Sequence, residues 1–329
     1  MSILTFIFSA LMQGMIYAPL ALGSFVAFNV LKVSDLTLDG SFVFGMAVCA
    51  VITTTGHPLI ALVAGTAAGA VAGLITGILQ TKLKINRLLS GILTMTALYT
   101  VNLAVLGGQA NRYLQSKNSV ASPTVYDPFV TLVRELFGGG KASSREFALL
   151  SNSLAPFILS TLVTVAVVVA LSLFFKTRTG LSVRAVGDNE DMVRSSSINA
   201  DRMRIIGLMI SNALVALSGA MLCQQQKFAD LNSGTGMLIA GLAAVIIGQV
   251  LFGARSEKLT VSLVAVVVGS LLYRLIIQLT YRYVPSYFVK AISAVIVVVA
   301  LSVPTVRNYL GLLRTKKISK KEAQNELQS

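Results

Sequence analysis

Apolar positions in this chain gather into nine runs, at 2–30, 40–55, 58–80, 88–106, 154–175, 205–223, 237–252, 259–279 and 288–309. Most are near twenty residues, the helix length that crosses a hydrocarbon core of ~30 Å. The pattern predicts an all-α polytopic membrane protein of about nine transmembrane spans. The first run carries no charge before Lys32. It lacks the basic start and short apolar core of a cleaved signal peptide, so it reads as a genuine span. A longer polar stretch, 107–152, separates the fourth run from the fifth. Inside it Phe129, Val130, Leu132, Val133, Leu136 and Phe137 fall on one face of a short helix between Pro128 and Gly138-Gly-Gly140. That face fits a helix lying along the membrane interface, or a docking surface for an external protein.

Two runs are short for a plain span. The run 40–55 follows the polar stretch Ser34-Asp-Leu-Thr-Leu-Asp-Gly-Ser41, and the run 237–252 contains Gly241 and Gly248 and follows Gly234 and Gly236. Short, glycine-interrupted segments at matching places in two halves point to a transporter's central site. Ser34-Asp-Leu-Thr-Leu-Asp-Gly aligns with Ala229-Asp-Leu-Asn-Ser-Gly-Thr at an offset of 195 residues. Five spans separate the two, so the second half is expected to be an inverted repeat of the first, with short broken helices near the centre. The chain then divides into repeat one (about 1–107), an outer loop (108–152), a linking span (154–175), a basic loop (176–204), repeat two (about 205–310) and a basic tail (311–329), all one transmembrane domain.

Composition agrees with the pattern. Of the 329 residues 55% are hydrophobic and only 12% charged, against about 25% charged in soluble domains. The net charge of +14 reads as the positive-inside bias, not as a nucleic-acid surface. With the N-terminus outside and every run crossing, 18 of the 27 Lys and Arg lie inside, and the C-terminus is cytoplasmic. The localisation expected is the inner (plasma) membrane. The basic segment 314–321 of the tail is expected to attract anionic lipid. Cys49 and Cys223 sit in apolar runs and read as packing residues. His57 is the single histidine, so no metal site is expected. There is no GxxxxGK[ST] motif for ATP, and no nucleophile–base pairing that would mark an enzyme.

Two polar constellations stand out. Asp35, Thr37, Asp39, Ser41, Asp230 and Asn232 lie in the two aligned turns. Carboxylates at membrane depth are expensive and often functional. The same residue types also cap helices, because a side-chain oxygen satisfies an orphan N–H. Both readings stand: a structural cap, or the substrate pathway. The second constellation is the loop 176–204, with Arg184, Gly187, Asp188, Asn189, Glu190, Asp191 and Arg194. It reads as two short helices joined at Gly187, with Asp188 or Asn189 as cap and acidic residues in the first turn, on a surface suited to another protein's groove. Elsewhere Gly65, Gly69, Gly73 and Gly77 recur every four positions as a packing seam. Arg274, Gln278 and Arg282 line one face and are expected to snorkel to the headgroups.

The stretch with Gly180, Arg184-Ala185, Gly187-Asp-Asn-Glu190 and Ile198-Asn199 resembles the permease subunits of ABC importers of the branched-chain amino acid and ribose type, with Ser197 where the family usually has Gly. Asp35-Leu-Thr-Leu-Asp-Gly-Ser41 is similar to the turn of a less characterised branch associated with aromatic amino acid uptake. The resemblance implies a permease dimer, expected to be two copies of this chain, and an alternating-access path for a small solute. It implies that the loop from Arg184 to Arg194 docks on a cytoplasmic ATPase subunit. ATP and Mg are then bound by that partner, with no cofactor in this chain. An extracytoplasmic substrate-binding protein delivers the solute. An aromatic amino acid is the first expectation and a nucleoside or sugar the second. An ion-coupled secondary transporter, with Asp35, Asp39 and Asp230 as ion ligands, is the rival class.

Overall fold

A computed structural model describes residues 3–114, 122–138, 145–252, 259–285, 288, 291–299 and 302. The basic tail 311–329 and much of the ninth predicted run lie outside the described residues. Helix α1 (Ile3–Phe25) continues as one π-helical turn, Val26–Val30. There follow α2 (Thr37–Thr53), α3 (Pro58–Thr81), α4 (Arg87–Val105), strand β1 (Asn111–Tyr113), α5 (Tyr126–Gly138) and α6 (Arg145–Phe174). Then come α7 (Arg178–Asp188), α8 (Glu190–Ser195), α9 (Ala200–Gln226), strand β2 (Phe228–Asp230), α10 (Met237–Phe252) and α11 (Leu259–Tyr283). Residues 291–299, within the ninth predicted run, are helical.

Among the described residues seven helices are long and apolar enough to cross a membrane. The eighth, α2, has 17 residues, a rise of about 26 Å and short of a full span. Caps set the boundaries. Asn86 Oδ1 accepts the Leu88 N–H ahead of α4, and Asn199 Oδ1 accepts the Arg202 N–H ahead of α9. Lys227 closes α9 at φ +61°. The expected joint at Gly187 is displaced: α7 runs through to Asp188, and the break falls at Asn189, whose side chain accepts the Met192 N–H at 3.0 Å. Gly187 is instead needed inside α7 for close packing, described below.

Helix α9 is the central post, packed by α1, α2 and α3. The glycine stripe of α3 is the seam expected, and it lies inside the protomer. A Cβ on Gly69 would strike Asn212 O and one on Gly73 Leu208 O, while one on Gly77 would crowd Ile205. Gly248 and Gly269 serve the same close approach between α10 and α11. Outward faces are apolar: Leu59, Ile60 and Val63 on α3, and Leu162, Val165 and Val169 on α6, are all exposed. An exposed apolar surface on a bundle whose polar groups are turned inward suits a hydrocarbon solvent. Strands β1 and β2 pair antiparallel, with Asn111 opposite Asp230. No sequence pattern announced this short ribbon.

The seam gives a direct test. Gly69→Leu forces the α3 and α9 backbones apart, and overpacking of this kind costs about 1–3 kcal/mol or more. Ala67→Leu, on the exposed face of the same helix, is expected to stay within about 0.5 kcal/mol. Thermal unfolding of the two variants in detergent compares them.

Candidate functional site

Between the π-helical turn of α1 and the start of α2 the chain turns sharply, with Lys32 at φ +53°. Asp35 lies in this turn and is fully buried, as are Thr37, Ser41, Thr76 and Asn212. Its Oδ1 accepts the Thr37 N–H at 2.9 Å, and its Oδ2 accepts from Asn212 Nδ2 at 2.8 Å. The same Asn212 accepts the Ser41 hydroxyl at 2.6 Å. Thr37 and Thr76 hydroxyls meet at 2.8 Å, which ties α2 to α3. The buried carboxylate and hydroxyls of this turn are thereby answered partly from within the turn and partly from α3 and α9, as the low dielectric requires.

Asp39, in the first turn of α2, reaches across to another helix. Its carboxylate accepts the Leu238 N–H at 2.7 Å and the Gly236 N–H at 3.1 Å. These are orphan donors at the N-terminus of α10, where the helix dipole also favours an anion. Asp230 repeats the local geometry of Asp35: its Oδ1 accepts the Asn232 N–H at 2.9 Å. Asn232 is exposed. Gly234 sits directly against Asp39 O and Val43. The two aligned turns therefore meet.

Beside this meeting point is a cavity of about 280 Å³, lined by Asp39, Gly40, Val43, Met95, Thr96, Tyr99, Asn102, Leu231, Gly234 and Thr235. Of the six pathway candidates only Asp39 lines it. Asp35, Thr37 and Ser41 lie in the buried network behind, and Asp230 and Asn232 lie in the turn that leads down to it. Asn102 is 1% exposed; its Nδ2 donates to Gly40 O at 3.2 Å, while its Oδ1 accepts no hydrogen bond among the described residues. Asn102 and Asn212 were not singled out by sequence, although an amide inside an apolar run is a signal for both.

The coupling candidates form a separate, charged face. Glu190 pairs with Arg87 at 3.1 Å, with Arg194 at 2.9 Å and closely with Arg204. Burial opposes ionisation of Glu190, but the surrounding arginines outweigh it and hold its carboxyl below the usual range. Arg194 also pairs with Asp201 at 2.6 Å, and Asp188 with Lys32 at 2.8 Å. Gly187 lies against Val30 O, at the end of the π-helical turn. Arg184 is half-buried, and Asp191 and Asn189 are exposed. So Gly187, Asp188, Glu190 and Arg194 fasten α7 and α8 to the bundle, while Leu181 (53% exposed) and Met192 (65% exposed) face outward.

Other sequence candidates resolve differently. Arg274 turns inward, its guanidinium 3.1 Å from the centroid of the Tyr17 ring, which corrects the snorkelling expectation. A cation over a buried aromatic face is stabilised without leaving the bundle. The helix expected around Phe129 is present as α5. Among the described residues no set of His, Cys, Asp and Glu converges as metal ligands.

Three outcomes are expected. Asn212→Leu leaves the Asp35 carboxylate short of a donor and lowers stability by about 1–3 kcal/mol in detergent unfolding. Asp39→Ala frees two α10 N–H groups and costs about 1 kcal/mol, whereas Asp39→Asn keeps one acceptor and costs less. Because the Glu190 pKa is depressed in the folded state, its contribution is present above the usual glutamate value of about 4.3 and is lost as pH falls through the depressed value. Proteolysis of the α7–α8 segment should therefore rise on acidification in the parent chain, and Glu190→Gln should remove that component.

Comparison with known proteins accords with this layout. A family model described as "Branched-chain amino acid transport system / permease component" matches residues 6–301. The chain is 32% identical over 323 residues to the "Tyrosine transport system permease protein" of Clostridioides difficile (strain R20291), covering 98% of this chain and 99% of that one. It is 27% identical over 127 residues to the "Ribose import permease protein RbsC" of Escherichia coli (strain K12), covering 39% of each. No solved structure matches the chain. With full-length similarity on one side and a bundle of membrane-length apolar helices on the other, the chain belongs to the permease family of branched-chain amino acid transport systems, an ABC-type membrane permease family.

Proposed function

We propose that this chain is the permease subunit of an ATP-driven importer for an aromatic amino acid, working by alternating access in the inner membrane. The observation that carries the substrate class is the cavity beside Asp39. Its lining includes acceptors, the Asp39 carboxylate and the Asn102 side chain, whose Oδ1 has no partner among the described residues, and no cation. The rest of the lining includes the apolar Val43, Met95 and Leu231 and the ring of Tyr99. A mostly apolar lining with a few acceptors and no cation suits an ammonium-bearing solute with a hydrophobic side chain. Full-length similarity to a tyrosine permease supports the same class. Partial similarity to a ribose permease supports a sugar as the second reading, since hydroxyls also donate to these acceptors.

The face carrying α7 and α8 is the docking surface for a cytoplasmic ATPase, which holds ATP and Mg. Leu181, Asp191 and Met192 touch that partner, and Gly187, Asp188, Glu190 and Arg194 keep them in place. The N-terminus is then outside and the C-terminus cytoplasmic. A substrate-binding protein meets the opposite face, where β1 and β2 lie. The cavity is bounded on the α4 side by exposed Thr96 and Tyr99, and a second copy packed there closes it. The matching hydrogen bonds of Asp35 and Asp230, and the contact of Asp39 with Gly234, support the inverted repeat.

Two tests follow. Leu181→Asp with Met192→Asp should abolish recovery of an ATPase with the chain from native membranes, with thermal stability unchanged; undiminished recovery contradicts this docking surface. In the reconstituted transporter Asn102→Leu should raise the tyrosine concentration for half-maximal uptake about tenfold, the loss of one hydrogen bond to a charged group.

A further inference from the structure

At the other end of α4 from Asn102 lies a second, larger cleft of about 690 Å³, between the α1–α2 turn, the α3–α4 turn and α9. Four cations line it: Lys32, Lys84, Arg87 and Arg204. Asp188 answers Lys32, and Glu190 answers both Arg87 and Arg204. Lys84 is exposed and has no ion pair among the described residues. The lining thus carries four cations and no carboxylate, and the two carboxylates paired with it from outside leave it a positive excess.

Gln80 supplies an independent observation. It lines the cleft and is 6% exposed. Its Nε2 donates to Arg87 O at 3.4 Å, while its Oε1 accepts no hydrogen bond among the described residues. A buried acceptor without a donor is costly enough to require an explanation. The cleft therefore offers cations for an anion and an acceptor for a hydroxyl. From its rim at Leu88 an exposed apolar stripe, Leu89, Ile92 and Leu93, continues along α4. Basic clefts between membrane helices at the bilayer surface hold anionic headgroups.

We propose that this cleft binds a phosphate ester bearing a free hydroxyl, supplied by the headgroup of a lipid of the phosphatidylglycerol type. The phosphate meets Lys84 and the flanking arginines, a glycerol hydroxyl donates to Gln80 Oε1, and the acyl chains follow the apolar stripe of α4. The same chemistry is offered by free glycerol phosphate, but the apolar stripe favours the lipid.

Native mass spectrometry of the full chain, released from detergent containing phosphatidylglycerol, phosphatidic acid and phosphatidylcholine in equal amounts, tests this. The parent chain should retain phosphatidylglycerol in preference to both. Lys84→Ala, an exposed change that leaves the fold intact, should weaken that retention about fivefold. Gln80→Leu should abolish the preference over phosphatidic acid, which has a phosphate but no glycerol hydroxyl. Retention unmoved by excess free glycerol phosphate supports the lipid as source, and displacement by an equimolar amount overturns it. Equal retention of phosphatidylglycerol and phosphatidylcholine by the parent overturns the proposal. So does a Lys84→Ala variant that keeps its lipid and loses only an ATPase partner, which would make the cleft a protein contact.

Discussion

A bilayer offers no hydrogen bonds to the groups buried in it, so a chain that breaks its helices at membrane depth must answer each broken end from within. This fold does so with two aspartates. Asp39 takes two orphan N–H groups at the start of α10, and Asp35 closes the turn into α2 while holding Asn212. Removing either leaves backbone N–H groups, and for Asp35 also one donor of the Asn212 amide, without their acceptor in the bundle. The short helices, the cavity between them and the packing of α2 on α9 all rest on these bonds.

The same turn lies close to the charged face. Gly187 of α7 touches Val30 O, Asp188 pairs with Lys32, and three residues further on stands Asp35. The π-helical turn Val26–Val30 lies at the start of this sequence, where a wider helical turn commonly marks a functional position. A displacement of α7 acts on the segment that carries Asp35 and, one turn later, Asp39. Contiguity alone does not make a switch; in the proposed ATP-driven cycle, ATP binding to an ATPase partner must stabilise a different arrangement of these contacts from the one stabilised by a delivering protein.

Much of this was legible in the sequence, for physical reasons. Runs of apolar residues near twenty have one solution in a membrane, so the bundle followed from periodicity and length. The stripe from Gly65 to Gly77 announced a seam, because only a residue without Cβ lets two backbones meet. Pairing across the fold was not legible. Asp39 reads locally as a cap for its own helix, and nothing nearby reveals that its acceptors serve α10, 197 residues away. Glu190 and Arg194 read as charges on a short helix of a docking surface. Their further partners, Arg87, Arg204 and Asp201, turn them into fasteners, and the apolar side chains left facing outward are Leu181 and Met192. Arg274 looked like a headgroup residue until Tyr17, on another helix, supplied its ring.

The most direct measurement is accumulation of labelled tyrosine in vesicles containing the chain, its ATPase and its binding protein, with ion gradients collapsed by ionophores. ATP-dependent accumulation that survives the collapse is the result this account predicts. Accumulation that needs no ATP and disappears with the proton or sodium gradient contradicts it, and would make Asp35, Asp39 and Asp230 ion ligands instead of structural ties and, for Asp39, a substrate acceptor.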